Sequence, residues 1–290
     1  MSVELVTTIA QLRRHIAALR QQMRSIGCVP TMGALHAGHG SLMDRARAAC
    51  DVVVVTIFVN PLQFDRKDDY EQYARRLEAD LAFCEAHRVD IVFAPSAAEM
   101  YPEPSATFID VPDVARFLCG AHRPGHFRGV ATVVAKLFHM VQPDTAFFGE
   151  KDAQQLAVIQ QMVRDLNMPI AIVAAPTLRE ADGLALSSRN QRLTAAERGI
   201  APVLFRALSE GSHAIAAGER QAASVKAAVL RQLAAEPGIR VEYVEVVDAR
   251  MQPVDVVAGD VRIVAAAWVG ATRLIDNLLC RGAGSKLVPG

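Results

Sequence analysis

Two histidines at a short fixed spacing are the first residues in this chain that could do chemistry. His36 and His39 lie in the stretch PTMGALHAGHGSL, residues 30–42. The apolar run Ile26–Val29 before it predicts a buried strand of a parallel sheet, and Ser41–Ala49 after it predicts a helix. In an open α/β sheet, ligands bind where a strand ends and a helix begins.

The chemistry expected at such a corner is anion binding. The first backbone N–H groups of a helix lack internal partners, so they stabilise a phosphate. Gly33 and Gly38 let the backbone approach a ligand closely. Two imidazoles three residues apart would project from one face of the first helical turn and donate to phosphate oxygens. A pair of solvated histidines at a helix start is the alternative that this stretch leaves open.

Three further polar segments follow predicted strands or a predicted hinge. Asn60, Gln63 and Phe64 come after the β-branched run Val52–Val59. The side-chain amides of Asn60 and Gln63 suit a hydroxyl-bearing substrate, because they can both donate and accept. Lys151, in the turn GEKD before Gln154 and Gln155, could neutralise charge that builds on a phosphate. A simple turn and a solvated lysine are the respective alternatives.

The third segment is LSSRN, residues 186–190, in which two hydroxyls and a guanidinium could clamp a phosphate. Its alternative is a linker turn that leads to a helix cap. A hydrophobic core needs none of these four polar loops, so together they favour a ligand site.

Strands and helices alternate along the first part of the chain, which predicts a doubly wound, Rossmann-like α/β fold with a parallel sheet. Besides the elements already given, the predicted ones are a helix Thr8–Met23, a charged helix over 66–88, a strand Asp90–Ala94, a loop over 95–104, a glycine-rich connection Phe117–Gly129, a helix Val130–Val141, a strand Thr145–Phe148, a helix Ala153–Leu166 and a strand Ile170–Ala174.

The composition changes after Gly183, where a smaller α+β domain is predicted to begin. Two alanine-rich helices up to about Ala235, separated by Gly218, precede the strands Val241–Val247 and Val261–Val269. The predicted division is a nucleotide- and substrate-binding domain over 1–183, a lid domain over 184–283 and a disordered tail over 284–290.

Composition narrows the class of protein. The 290 residues are 51% hydrophobic, the formal net charge is zero and no basic block occurs, which argues against a nucleic-acid partner. No run of 18 apolar residues exists, so no membrane span is expected. Five scattered cysteines without a C-x-x-C pair predict reduced thiols and a cytoplasmic protein.

Five motifs, in this order, resemble the pantothenate synthetase (pantoate–β-alanine ligase) family of the nucleotidylyltransferase superfamily, which carries an H-x-G-H motif. They are PTMGALH at 30–36, IFVNPLQF at 57–64, RPGHF at 123–127, FGEKDAQQL at 148–156 and READGLALSSRN at 179–190. The resemblance extends from about residue 3 to 281.

The resemblance implies an ATP-dependent condensation of (R)-pantoate with β-alanine. Pantoate's carboxylate attacks the α-phosphate to give a pantoyl adenylate, and the amine of β-alanine then expels AMP. Mg²⁺ is expected to accompany ATP, and a cytoplasmic homodimer is expected. Two rival interpretations stay open: a nucleotidyltransferase that leaves AMP on its product, and a non-catalytic ATP-binding sensor.

The resemblance also implies roles for particular residues. His36, His39, Lys151 and Arg189 would be catalytic, with His39 as the proton donor and Asp80 as a candidate metal ligand. Pantoate would contact Gln63, Gln155, Phe58, Val134 and Phe148, and β-alanine would contact Gln63 and Asn60. The residues implied for ATP are Met32, Gly33, Ala34, Leu35, His36, Ala37, Gly38, His39, Gly149, Glu150, Lys151, Asp152, Leu178, Leu186, Ser187, Ser188 and Arg189.

Five positions depart from the family pattern. The pattern has an acidic residue where Ala37 stands, a larger apolar residue at Gly40, proline and threonine at Ala74 and Arg76, and asparagine at His139. None of these departures removes a group proposed to be catalytic, so they bear on rate and rigidity more than on the type of reaction.

Overall fold

The structure is a computed structural model that describes residues 3–282, so the predicted tail lies outside the described residues. Within them the chain forms two compact units. The first comprises residues 3–115, 123–150 and 158–176, and the second comprises 116–122, 151–157 and 177–282. The predicted domain boundary near residue 183 stays a prediction.

The first unit contains a six-stranded, fully parallel sheet, which confirms the predicted Rossmann-like fold. Its strand order is β1-β4-β3-β2-β5-β6. The strands are β1 (Glu4–Val6), β2 (Ile26–Thr31), β3 (Val52–Ile57), β4 (Ile91–Phe93), β5 (Thr145–Gly149) and β6 (Ala171–Ala175).

The centre of this sheet is the place where the strand order reverses. Strand β2 pairs with β3 along its whole length and with β5 through Gly27 and Cys28. The chain then builds outward from β3 on one side and from β5 on the other. The carboxyl ends of β2 and β5 therefore border a topological switch point, where an open α/β sheet binds its ligand.

Unbroken apolar runs explain why these strands are central. Val52, Val53, Val54 and Val55 are all buried, as expected for a parallel strand that is covered on both faces. The short edge strand β1 was not predicted, because three residues are too few for a periodic signal.

Three predictions in the first part of the chain were wrong. The segment 95–104 was expected to be a loop, but residues 97–100 form a helix that Ser96 caps by accepting from the Glu99 N–H. The charged helix expected over 66–88 is two helices, because the chain leaves the helical path at residues 74–76 while Tyr73 packs on Phe64, ring centroids 5.8 Å apart. The connection expected over 117–129 contains one short helix and the start of another. The helices are α1 (Ile9–Gln21), α2 (Ala37–Ala49), α3 (Lys67–Glu71), α4 (Leu77–Ala86), α5 (Ala97–Met100), α6 (Pro112–Ala115), α7 (Cys119–His122), α8 (His126–Val141) and α9 (Ala153–Asp165).

The second unit packs helices on a three-stranded antiparallel sheet of order β7-β8-β9, which confirms the predicted α+β character. After residue 194 the described chain forms three helices where two were predicted, and strand β9 was missed. The elements are α10 (Ala195–Ile200), α11 (Val203–Ala216), α12 (Ala222–Ala234), β7 (Ile239–Val247), β8 (Val261–Val269) and β9 (Thr272–Cys280). Across the described part of the chain, no helix is both long and apolar enough to cross a membrane.

Candidate active site

The two histidines close the N-terminus of helix α2 with their own side chains. The helix begins at Ala37, earlier than predicted, so His36 is its N-cap and His39 lies in its first turn. The Gly38 N–H donates to Nδ1 of His36 at 3.1 Å, and the His36 N–H donates to Nδ1 of His39 at 3.3 Å. This reciprocal capping box satisfies two backbone donors of the kind that a serine and a glutamate usually satisfy.

The capping box also defines the tautomer of each ring. A nitrogen that accepts a hydrogen bond carries no proton, so each neutral imidazole carries its proton on Nε2. The ring centroids of His36 and His39 lie 4.2 Å apart. The pair therefore offers two Nε2–H donors side by side at a helix N-terminus, where the helix dipole favours an anion.

Asp80, the candidate metal ligand, holds the loop that leads to these histidines. Its buried carboxylate accepts from the backbone N–H of Ala34 at 3.0 Å and of Leu35 at 2.8 Å. The loop needs an unusual backbone there, with φ of 83° at Gly33 and 52° at Ala34. A Cβ added to Gly33 would lie 2.8 Å from Asp80 Oδ2, so glycine is what lets the loop wrap around the carboxylate.

A network of side-chain amides lies beyond the end of strand β3. Asn60 is buried and begins a 3₁₀ turn, Pro61–Gln63. Its Nδ2 donates to Gln63 Oε1 and to the Gly129 carbonyl, each at 3.1 Å. Its Oδ1 accepts from the Leu62 N–H at 3.3 Å and from the Tyr101 hydroxyl at 3.0 Å. Asn60 thus holds the side-chain oxygen of Gln63 by a hydrogen bond. Its contact with β-alanine stays a prediction.

Gln63 and three apolar side chains of the first unit are among the residues that were predicted to contact pantoate. The Nε2 group of Gln63 lies 3.0 Å from Met32 Sδ. Phe58, Val134 and Phe148, which were predicted to contact pantoate, are all buried. The contact of these four residues with pantoate stays a prediction.

In the second unit, strand β9 fixes the backbone of the predicted catalytic lysine. Asn277 Nδ2 donates to the Lys151 carbonyl at 3.0 Å, and Lys151 Nζ lies 3.8 Å from Asp152 Oδ2. The side chain of Lys151 is only 17% exposed. Gln155, predicted to bind pantoate, is half-buried on the first turn of α9.

The same strand anchors the segment that precedes Ser187, Ser188 and Arg189. Residues 178–186 form a tight hairpin in which Leu186 N donates to the Leu178 carbonyl at 2.9 Å. Arg179 pairs with Asp276 through two hydrogen bonds, of 2.6 and 2.9 Å. Burial raises the pKa of Asp276, while the Arg179 guanidinium opposes that rise. The Arg189 N–H donates to Ser187 Oγ at 3.2 Å, which begins a 3₁₀ turn over Ser188–Arg192.

Comparison with known proteins decides the family. The sequence profile of pantoate-beta-alanine ligase matches residues 4–279. A pantothenate synthetase from Moorella thermoacetica is 54% identical over 278 residues, which cover 96% of this chain and 98% of that protein. The chain belongs to the pantoate–β-alanine ligase family.

Solved structures of this ligase family have the same fold. The pantothenate synthetase from Thermus thermophilus matches with a TM-score of 0.90 and 46% identity, over 95% of this chain and 99% of that one. A pantoate–β-alanine ligase from Francisella tularensis, in complex with β-γ ATP and β-alanine, matches with a TM-score of 0.80 and 35% identity, over 96% and 97%.

The predicted site residues fall into two groups, one in each unit. The first unit brings together Met32, Gly33, Ala34, Leu35, His36, Ala37, Gly38 and His39 in one loop and helix start, and it also holds Phe58, Asn60, Gln63, Asp80, Val134, Phe148, Gly149 and Glu150. The second unit holds Lys151, Asp152, Gln155, Leu178, Leu186, Ser187, Ser188 and Arg189.

Sequence reasoning missed three residues that bond to predicted site residues or to the segment that precedes them. Tyr101 bonds to Asn60, Asn277 bonds to the Lys151 carbonyl, and Asp276 holds Arg179. Tyr101 lies in the segment 95–104, which was predicted to be a loop. An aromatic residue with a hydroxyl in such a segment could have indicated a buried hydrogen bond. Asp276 and Asn277 are buried polar residues on a strand, which need partners, but that strand was not recognised.

The described residues do not form a protein cage for magnesium. Among residues 3–282, no group of three or more histidine, cysteine, aspartate or glutamate side chains could hold a metal ion. Both Asp80 oxygens accept backbone N–H groups, so this carboxylate serves the loop first. An ion that arrives on the phosphates of ATP needs few protein ligands, and Asp80 as one of them stays a prediction.

Proposed function

We propose that this protein condenses pantoate with β-alanine at the expense of ATP, through a pantoyl adenylate, and releases AMP and pyrophosphate. The observation that carries the proposal is the pair of Nε2–H donors on His36 and His39 at the switch point of the sheet, in a chain of this ligase family. An enzyme that activates a carboxylate on ATP needs donors where the phosphates lie, and the helix N-terminus supplies them.

The first chemical step is attack by pantoate's carboxylate on the α-phosphorus of ATP. The new P–O bond forms as the bond to pyrophosphate breaks, so negative charge shifts onto the leaving group. His36 and His39 are proposed to donate to the phosphates, and Lys151 and Arg189 to neutralise charge, with Ser187 and Ser188 as further donors. Fixed donors act in the transition state without the reorganisation that water would require.

The second step is attack by the amine of β-alanine on the acyl carbon of the adenylate. The C–N bond forms as the C–O bond to AMP breaks. Gln63 and Gln155 are proposed to hold pantoate by its oxygens, while Phe58, Val134 and Phe148 exclude water from its apolar end. Exclusion of water protects the mixed anhydride, which would otherwise hydrolyse. His39 as the proton donor stays a prediction.

The proposal extends to the assembly and its surroundings. We propose that Mg²⁺ accompanies ATP, that the protein is a homodimer and that it works in the cytoplasm. The support for magnesium and for the dimer is family resemblance alone. The proposed cytoplasmic location is also supported by the five cysteines, which are buried and form no disulfide. Sedimentation velocity tests the dimer, with a species near twice the 31.3 kDa chain mass as the expected result.

Product analysis tests the reaction. With ATP, pantoate and β-alanine, we expect pantothenate, AMP and pyrophosphate in equal amounts, and no ADP. With ATP and pantoate but without β-alanine, we expect one pyrophosphate per active site and then no turnover. A stable AMP-bearing product in the full mixture would instead indicate a nucleotidyltransferase, and ATP binding without any product would indicate a sensor.

A further inference from the structure

Two backbone groups orient the Asn60 side chain, and Asn60 in turn orients the side chain of Gln63. Asn60 Oδ1 accepts from the Leu62 N–H, and Asn60 Nδ2 donates to the Gly129 carbonyl. Because a backbone N–H only donates and a carbonyl only accepts, the Asn60 amide has one permitted orientation. Its Nδ2 therefore faces Gln63, and the atom of Gln63 that faces Asn60 must be the acceptor Oε1.

The same reasoning defines the role of the Tyr101 hydroxyl. Asn60 Oδ1 is an acceptor only, so the hydroxyl, at 3.0 Å, must donate to it. Burial raises the pKa of Tyr101 to about 12, so the hydroxyl keeps its proton at any working pH. The Tyr101 ring is positioned by Phe58, with centroids 6.1 Å apart, and by Lys136 Nζ, 4.9 Å from its centroid.

We propose that Tyr101 is a positioning residue that acts through Asn60 to hold Gln63 with its Nε2–H₂ group toward pantoate. Gln63 then donates to an oxygen of pantoate from Nε2, while its Oε1 stays engaged with Asn60. At present Nε2 lies 3.0 Å from Met32 Sδ, which is a weak acceptor and is readily replaced by an oxygen. This inference rests on the proposed function, because it assumes that Gln63 meets pantoate.

The first test is Tyr101→Phe, which removes only the hydroxyl. We expect the KM for pantoate to rise about 3- to 10-fold, the range for one lost hydrogen bond, with the KM for ATP unchanged. Tyr70→Phe is the matched control, because it removes a hydroxyl from the same unit without touching Asn60. An unchanged KM for pantoate, or an equal loss in every kinetic constant, overturns the proposal.

A double-mutant cycle separates positioning from general stability. In a Gln63→Ala background, Tyr101→Phe should cause no further rise in the KM for pantoate, because the group that it positions is gone. A purely structural tyrosine would cause the same rise in both backgrounds, and that result contradicts the proposal.

The polarity of Gln63 has its own test. Gln63→Glu keeps an acceptor toward Asn60 but turns the outward donor into an anionic acceptor. We expect it to raise the KM for pantoate at least as much as Gln63→Ala does. A Gln63→Glu enzyme that binds pantoate as well as the wild type would show that Gln63 accepts from the ligand, against the proposal.

A measurement independent of activity distinguishes this inference from the proposed function. The Asn60 side-chain N–H₂ protons should exchange slowly with solvent in the wild type and faster in Tyr101→Phe, as followed by nuclear magnetic resonance. If the wild type makes no pantothenate, the proposed function fails, and slow exchange would still support the positioning by Tyr101. Equal exchange in both proteins overturns that positioning even if the enzyme is active.

Discussion

At the scale of single residues, the two histidines combine a structural and a chemical task. Each Nδ1 accepts a backbone N–H at the start of helix α2, and each Nε2–H is proposed to donate to the phosphates of ATP. The sequence predicted that both rings would lie at a helix start that binds phosphate. It could not predict the reciprocal cap, because capping boxes are recognised by serine, threonine and glutamate rather than by imidazole.

Replacement of His39 by alanine should lower turnover by at least about 100-fold, the usual effect of a positioned proton-transfer group. The measurement is the rate of AMP formation at saturating substrates, with circular dichroism to establish that the variant is folded. The exposed His139 on helix α8 provides a control, and His139→Ala should retain the wild-type rate. A folded His39→Ala enzyme with an unchanged rate would contradict the assignment.

Asp80 illustrates how the same residue can suggest two roles. From the sequence it is a candidate ligand for magnesium, whereas in the structure it accepts two backbone N–H groups of the loop before His36. These contacts join residues 46 and 45 positions apart in the chain, and no local pattern encodes such a pairing.

Asp80→Asn distinguishes the two roles. An amide can accept one of the two N–H groups but presents its own N–H₂ to the other, so we expect the KM for ATP to rise about tenfold. The magnesium concentration that gives half-maximal activity should stay as in the wild type. Glu78→Gln, an exposed change on the same first turn of α4, is the control. A shift in the magnesium requirement alone would favour the ligand role.

The departure at Gly40 has a local explanation at this scale. A Cβ at position 40 would lie 2.6 Å from Cε1 of His87, whose Nδ1 is 2.8 Å from Asp44 Oδ1. Helix α2 therefore accepts the His87 ring where the family pattern has a larger apolar residue. The expected loosening of the helix start by Gly40 stays a prediction.

At the scale of elements, helix α8 holds the segment that carries Gln63. The His126 Nδ1–H donates to the Gln63 carbonyl at 2.7 Å, and the Gly129 carbonyl accepts from Asn60. Gly129 brings the two backbones together, since a Cβ there would lie 2.2 Å from the Leu62 carbonyl oxygen. The approach is possible only for glycine.

Gly129→Ala should therefore destabilise the protein by about 1–3 kcal/mol, the usual cost of overpacking, and should raise the KM for pantoate. The matched control is Gly199→Ala on helix α10, where an added Cβ meets nothing within 4 Å. That change should stabilise the protein by up to about 1 kcal/mol, because alanine favours a helix. Urea unfolding of both variants measures the difference, and equal stability of the two would refute the packing argument.

The elements that could be predicted were those with one strong physical signal. Strand β3 was predicted from its unbroken apolar run, and helix α1 was predicted from apolar residues at helical spacing. Strand β9 did not, because Arg273, Asp276 and Asn277 interrupt its apolar pattern, and their partners lie far away in the sequence. Buried polar residues on a strand look like loop residues until their partners are known.

At the scale of the whole molecule, the two units do not follow the order of the chain. Residues 151–157 belong to the second unit although they directly follow β5 of the first. Lys151 thus shares a unit with Arg189, which is also proposed to neutralise phosphate charge, and with the proposed donors Ser187 and Ser188. The composition of the sequence indicates a single domain boundary, because composition depends on which residues are neighbours in the chain. It does not show which residues are neighbours in space.

The dependence of stability on pH should reveal the ion pair beside the amide network. Burial alone would raise the pKa of Asp65, but the Arg123 guanidinium, 2.9 Å away, holds that pKa below its usual value. Asp65 therefore contributes stability above the ordinary carboxyl pKa of about 3.9, and this contribution declines as the pH falls toward the folded pKa.

Thermal unfolding of the wild type and of Asp65→Asn at several pH values checks this expectation. The variant should be less stable than the wild type at pH 6 and should approach it as the pH falls below about 4. A difference that stays constant over this range would show that Asp65 does not gain its stabilisation from the charged form.

The strand order of the parallel sheet has a consequence for biosynthesis. Strand β2 receives its neighbour β3 almost at once, but its other neighbour, β5, begins at Thr145. A nascent chain released before that point carries both imidazoles and an uncovered flank of β2, with one wall of the ligand crevice still missing. Translation must therefore continue past β5 before both neighbours of β2 are present and its flanks can be covered.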